Sequence, residues 1–295
     1  MTGVSVSCGV ARSVVSQGGG LASVARKSEG IVIPVAALGV GFASFSLFLL
    51  VLGKSPVDFF ALVYKAGFGS SFSWQNTLSR TAPLLFAALC VALPARLGLV
   101  VIGGEGAIVL GGVASGALAG LLIGVPGWFG ITLMALAGAV AGGVWIGAIG
   151  ALRYYRGVNE TIASLLMAYI AIALMNHLVE GPLRDPASLN KPSTAPLTDA
   201  LRIADVPGFD VHWGLPVGMV CCVLAWILMD RTSWGFAARI AGGNVRAAQV
   251  QGLPVGRLII AFTALGGAFA GLAGMFEVAA VHGSANGSLA AGDGY

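Results

Sequence analysis

The sequence predicts an all-α protein: a polytopic transmembrane helical bundle of about seven helices. Three observations predict it. Of 295 residues, 57% are hydrophobic and 9% are charged, against about 25% charged in an average soluble domain. So few charges cannot cover a soluble fold of this size. Glycine is abundant, at 45 residues. Each costs a soluble helix roughly 1 kcal/mol against Ala, whereas membrane helices use small residues to bring backbones together. Finally, the charges sit in short clusters between long uncharged runs.

Each element follows from those runs. Residues 1–30 mix Ser, Gly and Val with Arg12, Arg26 and Lys27 and show no helical or strand period, which predicts a mobile tail. Ile31–Leu52 is uncharged. It exceeds a signal-peptide core of about 7–15 residues and lacks a small-x-small cleavage site, so it predicts the first membrane helix. Thr81–Ala95 holds Pro83 and Pro94 and resumes after Arg96, which predicts a short or broken helix over 81–104. Gly106–Leu152 has no charge and suffices for two spans of about 20 residues, with a turn at Gly124-Val125-Pro126-Gly127. Thr161–Val179, Val211–Met229 and Leu258–Phe276 complete the set. Between them, Glu180–Asp210 carries Pro182, Pro186, Pro192, Pro196 and Pro207 and charges of both signs, and reads as a hydrophilic loop.

Lysine and arginine set the expected orientation. With the tail cytoplasmic, the inner segments 1–30, the Arg96 turn, 153–160 and 230–257 carry 3, 1, 2 and 4 basic residues. The outer segments 53–80 and 180–210 carry three each. A net charge of +4 is too mild to argue for nucleic acid. Gly112, Gly116, Gly120 and Gly124 share one helix face, as do Gly266, Ala270 and Gly274. Tight packing within one subunit and a contact between subunits both fit this spacing.

Few groups offer chemistry. The only Gly-Lys-Ser is Gly53-Lys54-Ser55, and Phe48 stands where a phosphate loop needs glycine. If ATP drives this protein, another chain binds it. His177, His212 and His282 are dispersed near predicted helix ends, Cys8, Cys90, Cys221 and Cys222 have no C-x-x-C spacing, and no metal or cofactor is expected. Ser164, alone in an apolar run, is expected to bond its own helix backbone. Two acids stand out: Glu105, flanked by Gly103, Gly104 and Gly106 beside the break in the second run, and Glu277 at the end of the last. A charge at mid-membrane costs roughly 2.5–3.5 kcal/mol on insertion scales and normally faces a cavity or a partner. Glu105 fits a pore-lining or gating carboxylate, or one accepting backbone N–H bonds at a helix start. In the inner segment 231–257, Asn244 can cap a short helix from Val245 to Val250, which Gly252 ends and Pro254 prevents from restarting. Such a helix between two spans suits docking of a soluble partner.

This segment carries a resemblance. Gly235-x-x-x-Arg239-x-x-Gly242-x-Asn244-x-x-Ala247-Ala248-x-x-x-Gly252 resembles the cytoplasmic coupling loop of bacterial ABC-importer permeases for ribose, other simple sugars, nucleosides and branched-chain amino acids. Arg80-Thr-Ala-Pro-Leu84 resembles the entry to that family's second helix, and Ile102-Gly-Gly-Glu-Gly106 its Ile-Gly-x-Glu-Gly motif. Gly157-Val-Asn-Glu-Thr161, Tyr169-Ile-Ala171 and Asn176-His-Leu-Val-Glu-Gly-Pro182 are similar to nucleoside and simple-sugar members. Val101, Ala107 and Ala168 stand where relatives commonly carry Asn, Gln and Asn.

The resemblance implies a non-enzymatic transport subunit in the bacterial inner membrane, with a cytoplasmic N-terminus and a permease domain over 31–295. Its implied partners are cytoplasmic ATPase subunits, a second permease subunit of the same or a different chain, and a periplasmic or lipid-anchored solute-binding protein. Gly103, Glu105, Gly106 and Glu277 are the candidates for the substrate pathway or gate. Relatives continue from a similar Gly-Tyr into further helices, which implies a domain incomplete at its C-terminus. Nucleosides or simple sugars are the implied substrates. A secondary transporter or channel for a small polar solute is the alternative, distinguished by independence from an ATPase and a binding protein.

Overall fold

The computed structural model describes residues 19–287 and 289, apart from 123, 189, 190 and 209, with side chains from Val32 onward. Helices account for nearly all regular structure among them, beside two isolated β-bridges, Ser193 with Asn286 and Asp205 with His212. Among the described residues six helical stretches are long and apolar enough to cross a membrane, and a seventh apolar helix, Gly104–Ala119, is shorter.

The chain divides into two units, residues 1–70 and 71–295. The first holds α1 (Gly19–Val51) and α2 (Pro56–Phe68). The backbone of α1 is helical from Gly19, twelve residues before the uncharged run from Ile31; residues 1–18 of the expected tail lie outside the described residues. The Ser55 side chain accepts from Asp58 N and Pro56 takes the first turn, where its missing N–H is harmless, so α2 starts there. Phe42 and Phe45 of α1 meet Phe60 and Phe59 of α2 edge to face, at 5.4 and 5.3 Å between centroids.

The second unit contains α3 (Ser71–Ala95), α4 (Gly104–Ala119), α5 (Gly127–Arg156), α6 (Glu160–Glu180), α7 (Gly214–Arg231), α8 (Ser233–Gly243), α9 (Val245–Val250) and α10 (Val255–Phe276). A π-helical segment, Glu277–His282, extends α10. The second apolar run differs from expectation. Its helix starts at Ser71 rather than residue 81, takes Pro83 in its interior, and stops at Ala95, leaving an extended connection to α4. Pro83 cannot donate to the carbonyl four residues back. That carbonyl, Ser79 O, lies 3.2 Å from His212 Nε2 instead. His212 Nδ1 accepts from Gly214 N, so Nε2 carries the hydrogen and satisfies it.

The core is the contact of α4, α5 and α10, and glycine makes it. A Cβ on Gly271 would lie 2.0 Å from Gly138 O, on Gly142 2.3 Å from Gly267 O, and on Gly274 1.9 Å from Ile108 O. No methyl fits, so the backbones touch directly. Of the glycines read from sequence as sharing helix faces, Gly112, Gly116, Gly266 and Gly274 meet atoms of this same chain, whereas α4 ends at Ala119 and Gly124 lies in the turn beyond it at φ +86°, where a Cβ would meet nothing within 4 Å. The unit has two recognisable ends. At one, Arg96 and Arg239 both reach Asp230, Arg153 pairs with Glu160 at 3.2 Å, and Tyr154 packs against Gly256. At the other, Gly127 abuts Ala200, Leu201 covers Gly130, and the segment after α10 pairs with the hydrophilic loop through Leu197 N to Gly283 O and Thr194 N to Ala285 O.

Candidate functional site

Glu105 and Glu277 line one cavity of about 250 Å³, although most of the chain separates them in sequence. Its walls are Pro83, Leu84, Ala87 and Val91 of α3, Ile102, Gly104 and Ile108 around the start of α4, and Leu289. The two carboxylates are its only ionisable lining groups among the described residues. Glu105 sits in the first turn of α4, where the helix dipole favours a carboxylate, and its side chain is open to the cavity. Glu277 is buried at 6% exposure, with His282 Nε2 at 3.7 Å from Oε2.

The motif residues divide the work. Gly103 and Gly106 are buried and do not line the cavity. A Cβ on Gly103 would fall 2.1 Å from Ser164 O, and one on Gly106 2.8 Å from Ala168 Cα. They let α4 start hard against α6, and that contact positions Glu105. The extended segment before α4 is pinned by Ile102 N donating to Ser164 Oγ at 3.1 Å and by Thr161 Oγ1 donating to Val100 O at 3.0 Å. Ser164 does bond its own helix, to Thr161 O at 2.9 Å, but its second bond holds the Glu105 motif. Sequence reasoning missed that role; the nearby Asn159 cap, which sets where α6 begins, was the available signal. Val101, Ala107 and Ala168 are buried in helix packing.

The 231–257 loop lies at the Asp230 end. Thr232 caps α8 by accepting from Gly235 N at 3.2 Å, and Gly235 is pressed so close that a Cβ would lie 2.2 Å from Met229 O. Gly242 lies against the Arg96–Leu97 backbone, where a Cβ would meet Arg96 O at 2.4 Å. Asn244 Oδ1 accepts from Ala247 N at 3.0 Å and starts α9, and Gly252 turns the chain at φ +77°. Ala247 is exposed, but Ala248 is fully buried against Leu97, Val255 and their neighbours. Ala248 therefore does not offer a surface to a partner, because the Asn244 cap fixes the phase of α9 and turns that position inward. The outward face carries Val245, Arg246 and Val250, and α8 exposes Trp234 and Phe236. Among the described residues no group of His, Cys, Asp and Glu could hold a metal ion.

Residues 73–291 match the family described as the branched-chain amino acid transport system permease component. The chain belongs to this permease family. It is a multi-pass membrane protein and a transport permease subunit. This permease is 33% identical over 276 residues to a glucose ABC transporter permease of Haloferax volcanii, covering 90% of this chain and 71% of that protein. It is 29% identical over 278 residues to a guanosine ABC transporter permease of Bacillus subtilis, covering 89% and 77%. With a nucleoside ABC transporter permease of Lactococcus lactis it shares 25% over 264 residues, covering 85% and 71%. No solved structure matches it significantly.

Proposed function

We propose that this permease forms part of the pore of an ATP-driven, binding-protein-dependent importer for nucleosides or simple sugars. Residues 31–295 act as the permease domain in the bacterial inner membrane, with the N-terminus and the 231–257 loop cytoplasmic. The chain has no ATPase site of its own. Cytoplasmic ATPase subunits drive it through the loop, a second permease completes the pore, and a solute-binding protein delivers the solute.

The observation that carries this reading is the convergence of Glu105 and Glu277 on one cavity. Two carboxylates offer acceptors to hydroxyl and amino donors and repel an anion, which suits a neutral polyhydroxylated solute. Names of relatives agree: glucose, guanosine and nucleoside permeases. The loop supports the coupling role. Gly235, Gly242 and buried Ala248 seat it on the bundle, Asn244 and Gly252 shape α9, and Arg239, Arg246, Ala247 and Val250 face outward.

Uptake in proteoliposomes holding the complete importer tests it. Guanosine or glucose is expected to compete for uptake, and leucine is not. Glu105→Gln is expected to leave the complex assembled but lower uptake at least about ten-fold, on the scale of losing one charge-assisted hydrogen bond. Exclusive inhibition by leucine overturns the substrate class, and wild-type uptake by Glu105→Gln removes this carboxylate from the path.

A further inference from the structure

Away from the two-carboxylate cavity, the seam between α5 and α10 carries two clefts on its outer side. The first, about 360 Å³, lies at the Asp230 end and is lined by Tyr154, Tyr155, Gln249, Arg257 and Ile260 among others. The second, about 840 Å³, is a long groove floored by Gly143, Gly147, Ala148 and Ala264 and walled by Val144 and Leu265. Ile260 lines both, so they adjoin. One end of this surface is polar and cationic, and the rest is wholly apolar.

The charge is available. Arg153 is occupied by Glu160 and Arg239 by Asp230. The Arg257 guanidinium has no ion-pair or hydrogen-bond partner among the described residues. Among the described residues it is the only charged group lining this cleft. The flanking tyrosines are amphipathic rings of the kind that settle at headgroup level. The apolar groove runs from Ala151 to Val140 along α5, roughly 16 Å at the helical rise per residue. That matches one leaflet, half of a hydrocarbon core about 30 Å thick.

We propose that this surface binds one anionic phospholipid, its phosphate on Arg257 and one acyl chain in the α5–α10 groove. Arg257 supplies charge to the phosphate, Gln249 and the tyrosine hydroxyls supply further hydrogen bonds, and the glycine and alanine floor gives the chain close contact. An apolar helix face of a second subunit would match the groove but not the Arg257 cation at its mouth. Gln249 belongs to α9, so the bound headgroup touches the loop that carries the coupling role. The lipid site itself stands independently of that role.

Native mass spectrometry of the purified full chain tests this, with dioleoyl-phosphatidylglycerol and dioleoyl-phosphatidylcholine added in turn. Phosphatidylglycerol is expected to be retained about five-fold better, the scale of one basic residue at a membrane surface. Arg257→Ala should abolish the preference and Arg257→Lys should keep it. Ala148→Leu, at a half-buried position that points into the groove's space, should lower retention of both lipids. Gel filtration of each variant reports folding. Equal retention of the two lipids, or an unchanged preference in a folded Arg257→Ala protein, overturns the proposal. Displacement by glycerol 1-phosphate alone would make it a soluble-anion site. Disulfide dimers through Val144→Cys would give the groove to a second copy, and either result also overturns it.

Discussion

The α4–α5–α10 seam and the 231–257 loop are both rich in small residues, yet the loop uses only some of them for close packing. In the seam, glycine removes volume: Gly138, Gly142, Gly267 and Gly271 press backbone on backbone. In the loop, Gly235 and Gly242 do the same, but a Cβ on Gly243 or Gly252 would meet nothing within 4 Å. Gly252 serves the chain direction instead, at φ +77°. The two alanines show the same division one residue apart, Ala247 exposed and Ala248 buried. A small residue therefore reports a close approach only where a second backbone is opposite it, and sequence spacing alone does not say where that is.

The largest expected effect breaks this contrast at its strongest point. Gly271→Val puts side-chain atoms where a Cβ already lies 2.0 Å from Gly138 O. We expect a loss of about 3 kcal/mol, at the upper end of overpacking costs, with little folded protein recovered by gel filtration. Gly243→Ala should stay within about 0.5 kcal/mol of wild type, as surface changes do. A Gly271→Val protein with wild-type thermal stability would show that the helices separate easily, and the seam would not be the rigid element.

The next test concerns the loop. Ala248→Trp is expected to unseat α9, seen as protease cleavage within 231–257 and a stability loss of about 1–3 kcal/mol. Val250→Trp changes a residue that is 89% exposed, so stability should hold while capture of the ATPase subunits falls. If Ala248→Trp stays protease-resistant and Val250→Trp captures ATPase normally, the inward and outward faces of α9 are wrongly assigned.

A smaller effect should appear with pH at the opposite end. Burial lowers the His212 pKa from its usual value, partly opposed by the Ser79 carbonyl and by Asp205. The unfolded chain then takes up the proton first, so stability is lost as pH falls from about 6.5 through the lower folded value. Thermal unfolding of wild type should show that decline, and His212→Gln should flatten it. An identical pH profile in the two proteins would sever the link between His212 and this end. The smallest effect is expected at exposed Arg246: its change to alanine should alter ATPase capture less than about five-fold, because exposed ion pairs contribute about 0–1 kcal/mol.

Much of the architecture was legible in the chain. Uncharged runs located the apolar helices because a bilayer admits few unpaired charges and demands internal backbone bonding. The cap at Asn244 and the stop at Gly252 placed α9, since both act through neighbours a few residues away. Glu105 and Glu277 were each conspicuous as acids beside apolar runs. Tertiary structure alone decided the rest. It brought those two acids to one cavity, turned Ala248 inward, gave Ser164 its bond to Ile102 N, and let His212 satisfy the carbonyl that Pro83 leaves free. The physical reason is range: caps, turns and hydrophobic runs are settled within a few residues, whereas a cavity, a buried face and a freed carbonyl are settled by whichever distant helix arrives beside them.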